Sequence, residues 1–122
     1  MAKDELLVIA RMYELLKWFL GHLGKFPRSH RYGLGQRIET RLYGVFEGLV
    51  RAKYAGGADK IAALAAVNEE LEVVRMLTRL AHELALLSHK SQEYAAREMI
   101  EIGRMVGGWL KQQQRKTPSS TN

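Results

Sequence analysis

The side chains in this chain that could do chemistry are arginines and histidines, and their spacing suits binding better than catalysis. Arg28, His30 and Arg31 crowd one short connection beside Phe26 and Tyr32. Arg37 and Arg41 follow at successive turns of a helix. A guanidinium presents a planar fork that matches phosphate oxygens, and an aromatic ring next to it can stack on an unpaired base. Arg75 and Arg79 make a second pair one turn apart, with no acid among the residues between them. Because they lie in an otherwise apolar helix, ion pairs with glutamates of a neighbouring helix or subunit are as open a reading as phosphate. For the cluster from 28 to 41, phosphate is the favoured partner.

Catalytic patterns are missing. None of His22, His30, His82 and His89 stands four residues from another, and no Glu-x-x-His occurs, so the di-iron bundle signature is absent. His82-Glu83 opens like a zinc-protease motif, yet no second histidine follows one turn later, where both imidazoles could reach one metal. Without cysteine there is no thiolate site or disulfide. Gly33-Leu34-Gly35 lacks a third glycine and a preceding strand, and no Gly-x-Ser-x-Gly elbow is present. The expectation is no catalytic residue, no metal and no cofactor.

The elements that must position the arginines are helical. The chain has 122 residues, 47% of them hydrophobic, and only two prolines, which suits one helical domain and disfavours a sandwich or barrel. Four amphipathic segments are predicted. The first, about 4–23, would bury Leu6, Ile9, Ala10, Tyr13, Leu16, Leu20 and Leu23. Leu7, Val8, Met12, Leu15, Trp18 and Phe19 make its apolar arc too wide for one face, so a second subunit is expected to cover Leu7, Met12, Trp18 and Phe19. The second helix, about 30–55 with Ser29 as its cap, would bury Leu34, Ile38, Leu42, Val45, Leu49 and Ala52. Gly44 and Gly48 lie on another face of it, where a second backbone can approach. The third, about 60–87 and capped by Asp59, would bury Leu64, Val67, Leu71, Val74, Leu77, Ala81 and Leu84. The fourth, about 92–113, would bury Ala95, Met99, Ile102, Val106 and Trp109. Trp109, beside Gly107 and Gly108, is also a candidate interface anchor. Connections this short imply an up-down-up-down antiparallel four-helix bundle over 1–113, with a disordered polar tail at 114–122.

Net charge is +6 and unevenly placed: residues 1–61 hold eleven Lys/Arg against six Asp/Glu, residues 62–122 eight against seven. A local basic field of this kind attracts polyanions. Arg11, Glu14 and Lys17 interrupt the first apolar stretch, so neither a membrane span nor a signal peptide is expected, and the protein reads as cytoplasmic.

Three segments resemble a known family. FPRSHRYGLGQRIE (26–39), LEVVRMLTRLAHELALLS (71–88) and EIGRMVGGWLK (101–111) are similar to the accessory variability protein (Avd) of diversity-generating retroelements. The wider group includes four-helix bundle proteins encoded in intervening sequences of bacterial ribosomal RNA genes. The resemblance implies a homopentameric barrel of bundles with a basic surface. It also implies a non-catalytic accessory role, binding the retroelement's reverse transcriptase and its template RNA, or DNA, during mutagenic copying. Arg28, His30, Arg31 and Arg37 fall in the first matching segment with Arg41 just beyond it, and Arg75 and Arg79 fall in the second. The alternative is an oligomeric scaffold of the ribosomal intervening-sequence type that contacts only protein.

Overall fold

The computed structural model describes residues 2–116. Helix α1 (Ala2–Leu23) is followed by a short helical turn α2 (Arg28–His30), a π-helical turn (Arg31–Gly35) and α3 (Gln36–Tyr54); α4 (Gly57–Glu83) and α5 (His89–Lys116) complete the chain. The stretch from α2 to α3 is continuous and acts as one rod, giving four in all. α1 packs on α3 and α5, and α4 packs on the same two, so the rods occupy the corners of a square in chain order. This is an antiparallel four-helix bundle, and among the described residues it contains no strand.

Three of the four stripes follow the expected spacing. Ile38, Leu42, Val45, Leu49 and Ala52 are buried on α3, and Ala95, Met99, Ile102, Val106 and Trp109 on α5. On α4 the buried set is Leu64, Val67, Leu71, Val74, Thr78 and Ala81. Thr78 therefore takes the inward position expected of Leu77, and its hydroxyl donates to Val74 O at 2.7 Å, so burial leaves no orphan group. Leu84 is exposed.

α1 turns differently from expectation. Val8, Met12, Leu15, Phe19 and Leu23 face the core with Leu16, whereas Leu6 and Tyr13 are half exposed. From Val8 the observed stripe runs on to buried Phe26 without a hydroxyl or a charge, whereas the expected one would bury the Tyr13 hydroxyl. Four residues expected at a subunit contact are consequently interior. Met12 and Phe19 are 0% exposed, Trp109 belongs to the same core, and Gly48 lies against α4. Leu7 and Trp18 stay at the surface, the latter half-buried between His22 and Tyr94.

Helix ends explain the remaining departures. Pro27, not Ser29, caps the second rod, and its carbonyl accepts from His30 N and Arg31 N at 2.9 Å each. Gly56 precedes α4, leaving Asp59 in the first turn, where a carboxylate complements the helix dipole. α4 stops at Glu83, four residues early. Leu86 N donates to Ala81 O at 2.8 Å and Ala85 N to His82 O at 2.9 Å, the two bonds of a Schellman closure. Ala85 occupies its left-handed position at φ 63°, where glycine is usual. Ser88 then caps α5, its hydroxyl accepting from Ser91 N at 3.1 Å. α5 continues to Lys116, so residues 114–116 of the expected tail are helical; the rest of that tail lies outside the described residues.

Two stability outcomes follow. Ala85→Gly relieves the left-handed strain and raises stability by about 1 kcal/mol, read as a higher thermal midpoint; an unchanged or lower midpoint contradicts the strained cap. A Cβ at position 48 would stand 2.7 Å from Val67 Cγ2, a stiff branched side chain. Overpacking of this kind costs roughly 1–3 kcal/mol, more than the helix-propensity gain of about 1. Gly48→Ala is therefore expected to lower the midpoint, and adding Val67→Ala to recover most of the loss. A lone Gly48→Ala that is neutral would mean that the two helices do not meet so closely.

Candidate nucleic-acid interface

The basic cluster begins where Pro27 sets the direction of the second rod. Phe26, immediately before it, is 2% exposed and so cannot stack on a base, contrary to the sequence expectation. It lies instead beneath Gly35, whose missing Cβ would come within 3.3 Å of both its ring and His30 O. That contact pins the connection to the π-helical turn. Such turns carry one extra residue per winding and recur at functional sites. Here the turn buries Gly35 in place of Leu34, which is only half-buried, and stands Tyr32 out in solvent.

The arginines divide into two groups. Among the described residues, Arg28, Arg31 and Arg37 make no ion pair, and all three are exposed. Arg31 Nη2 donates to Gly24 O at 2.9 Å, which fixes its guanidinium without neutralising it. His30 is half-buried. The other three arginines of the sequence reading are already engaged. Arg41 meets Glu70 of α4 at 2.6 Å, Arg75 meets Glu72 at 2.8 Å, and Arg79 meets Glu83 at 3.0 Å. Arg75 and Arg79 are thus ion-paired, but with acids of their own helix and not with those of a neighbouring helix or subunit.

α5 repeats the engaged pattern. Arg11 is bound by Glu98 at 3.0 Å, and that hydrogen bond raises its pKa further. Arg104 binds Glu101 and holds that carboxyl below its ordinary value. Arg97 approaches Glu93 at 3.8 Å. Among the described residues, exposed cations without an ion pair remain at both ends of the bundle: Arg51, Lys111, Arg115 and Lys116 at one, and Arg28, Arg31 and Arg37 at the other. Lys25 and Lys90, both exposed and without an ion pair among the described residues, join them there, because antiparallel packing brings the 24–27 and 84–88 connections to the same end. Sequence spacing alone does not reveal Lys90 as a member. The turn between the third and fourth helices does, once the helices are paired.

Two shallow grooves meet at Tyr32. One, about 550 Å³, lies between the second rod and α4 and is lined by Tyr32, Gly33, Gln36, Arg37, Thr40, Arg41 and Glu70. The other, about 280 Å³, faces α1 and includes Arg31, Tyr32 and Glu39. Below the first, a groove of about 700 Å³ continues between α3 and α4, where Gly44 and several alanines leave open space.

No arrangement for metal chemistry accompanies this surface. The His82 and His89 rings lie 5.8 Å apart, and the His82 Nδ1 is 3.0 Å from Leu87 O, but among the described residues no three histidine or carboxylate groups converge. Among the same residues no helix is long and apolar enough to cross a membrane.

Comparison with known proteins gives a family and a fold. The model of the bAvd-like family matches residues 6–113. A crystal structure from Bacteroides thetaiotaomicron, of a protein of unknown function in the S23 ribosomal protein family, superposes with a TM-score of 0.82. It is 14% identical and covers 88% of this chain and 98% of its own. At that identity the likeness concerns the bundle alone. Among curated proteins, none matches.

Proposed function

The chain belongs to the bAvd-like family, and from that premise we propose that it is a non-catalytic accessory protein of a diversity-generating retroelement. In this reading it binds the reverse transcriptase and template RNA, and supports mutagenic reverse transcription. The observation that carries the proposal is a cluster of cations around an exposed ring: among the described residues, Arg28, Arg31 and Arg37 stand exposed without a carboxylate partner at the Tyr32 end of the bundle, with Lys25 and Lys90 beside them. An end of this kind is an electrostatic footprint for a polyanion. The homopentamer implied by the family is part of the same proposal; exposed Leu6 and Leu7 on α1 and the open groove beside Gly44 offer surface for it.

The alternative reading, a protein-binding scaffold of the ribosomal intervening-sequence type, has the Bacteroides fold neighbour on its side, but that neighbour supports only the shared bundle. The two readings diverge in solution. Five phosphate contacts on a single strand predict that affinity falls about a hundredfold between roughly 50 and 200 mM salt. Arg28→Glu with Arg37→Glu is expected to abolish binding of a labelled RNA while helical content and sedimentation stay unchanged. Arg75→Gln with Arg79→Gln is expected to leave affinity within about twofold, since those groups already face carboxylates. Salt-indifferent binding, or loss of the oligomer in the first variant, would favour the scaffold.

A further inference from the structure

We propose that the end of the bundle around Tyr32 recognises unpaired nucleotides, with the Tyr32 ring as a stacking platform and Arg37 as the phosphate contact beside it. This rests on the nucleic-acid reading above and narrows it to single-stranded segments. Three observations carry it.

Tyr32 is 68% exposed, so its ring is open to an outside partner. Among the described residues it packs into no aromatic pair, unlike Trp18, whose ring is sandwiched by His22 and Tyr94. The π-helical turn holds it out, and that turn is itself fixed by the close seat of Gly35 on Phe26. The platform is therefore set by the core.

The groove on its α4 side then offers what a nucleotide needs. Gly33 has no neighbour within 4 Å of where a Cβ would stand, so a planar base can approach the backbone beside the ring. Gln36 and Thr40 supply neutral donors and acceptors for base or sugar edges, and Arg37 supplies a free guanidinium. The acid in this groove, Glu70, is already neutralised by Arg41.

The opposite groove makes the choice of side. It holds Glu39 as well as Arg31, so its formal charges balance, whereas the Arg37 side, with Arg41 set against Glu70, keeps one cation in excess. A backbone crossing Tyr32 is thus directed toward Arg37. The grooves are also shallow and short, fitting one or two splayed nucleotides better than the continuous backbone of a duplex, whose bases are stacked on each other and closed to a side-chain ring.

The test compares three labelled probes by fluorescence anisotropy at one salt concentration: an unstructured RNA of about twenty nucleotides, the same sequence as a duplex, and the matching single-stranded DNA. Tyr32→Ala is expected to weaken both single strands by roughly fivefold or more, the scale of one lost base–aromatic stack, and to leave the duplex within twofold. Tyr32→Phe is expected to restore them, because stacking uses the ring and not the hydroxyl. The slope of affinity against salt stays the same in both, whereas Arg37→Ala lowers it by about one phosphate's worth on every probe. Tyr32 is exposed, so helical content reports that each variant is folded. An equal loss on the duplex, or less than twofold loss on single strands, overturns the stacking platform while leaving nucleic-acid binding in place. If the unaltered protein binds none of the three probes at low salt, both readings fail together.

Discussion

Whether a guanidinium is available to an outside partner depends on whether a carboxylate, on its own helix or on the one packed beside it, takes it up first. Arg75 and Arg79 on α4 and Arg97 and Arg104 on α5 each have a glutamate at three or four residues' distance and lean onto it. On the second rod no such spacing exists before Glu39, and Glu39 does not pair with Arg28, Arg31 or Arg37. An exposed ion pair is worth little in stability, about 0–1 kcal/mol, yet it is enough to fix where the net field points. The positive excess of the chain is therefore expressed at the ends of the bundle, the Tyr32 end among them, and less along the flanks of α4 and α5.

The Tyr32 end is where the core reaches the surface. Phe26 closes the α1 stripe, Pro27 turns the chain, and Gly35 admits the Phe26 ring beneath the next winding. A side chain at position 35 would press on both the ring and the His30 carbonyl, so the π-helical turn and the apolar seal come as a unit. Arg31 reaches back to Gly24 O and ties the two sides of the connection. The cations and Tyr32 thus ride on a rigid corner. A partner that needs them preorganised loses less freedom on binding than it would against a flexible loop.

How much of this is legible in the sequence varies by element and for physical reasons. The stripes of α3 and α5 are, because each has one apolar face and a polar remainder at helical spacing. α1 is apolar nearly all round, so two stripes compete, and only the continuation to Phe26 and the polarity of Tyr13 decide between them. That ambiguity misplaced Met12 and Phe19 at a subunit contact. For Trp109 the inward spacing holds, and the interface role that a large ring beside glycines also suits does not. The end of α4 is hidden because Ala85 takes a conformation that alanine rarely adopts. For the site, Arg28, Arg31 and Arg37 stand out from composition and spacing alone. That Arg41 is tied to Glu70 and that Lys90 joins the cluster depend on which helices are neighbours, and single-helix periodicity carries no such information.

The account therefore turns on location: nucleic acid is to meet the bundle end around 25–37 and Lys90, not the flanks of α4 and α5. Ultraviolet crosslinking of a bound single-stranded RNA, followed by proteolysis and mass spectrometry of the adducts, measures this directly. Adducts concentrated on peptides containing Tyr32 and its flanking residues are the expected result. Adducts found chiefly within 71–83 or 93–104, where every arginine already has its carboxylate, would contradict it.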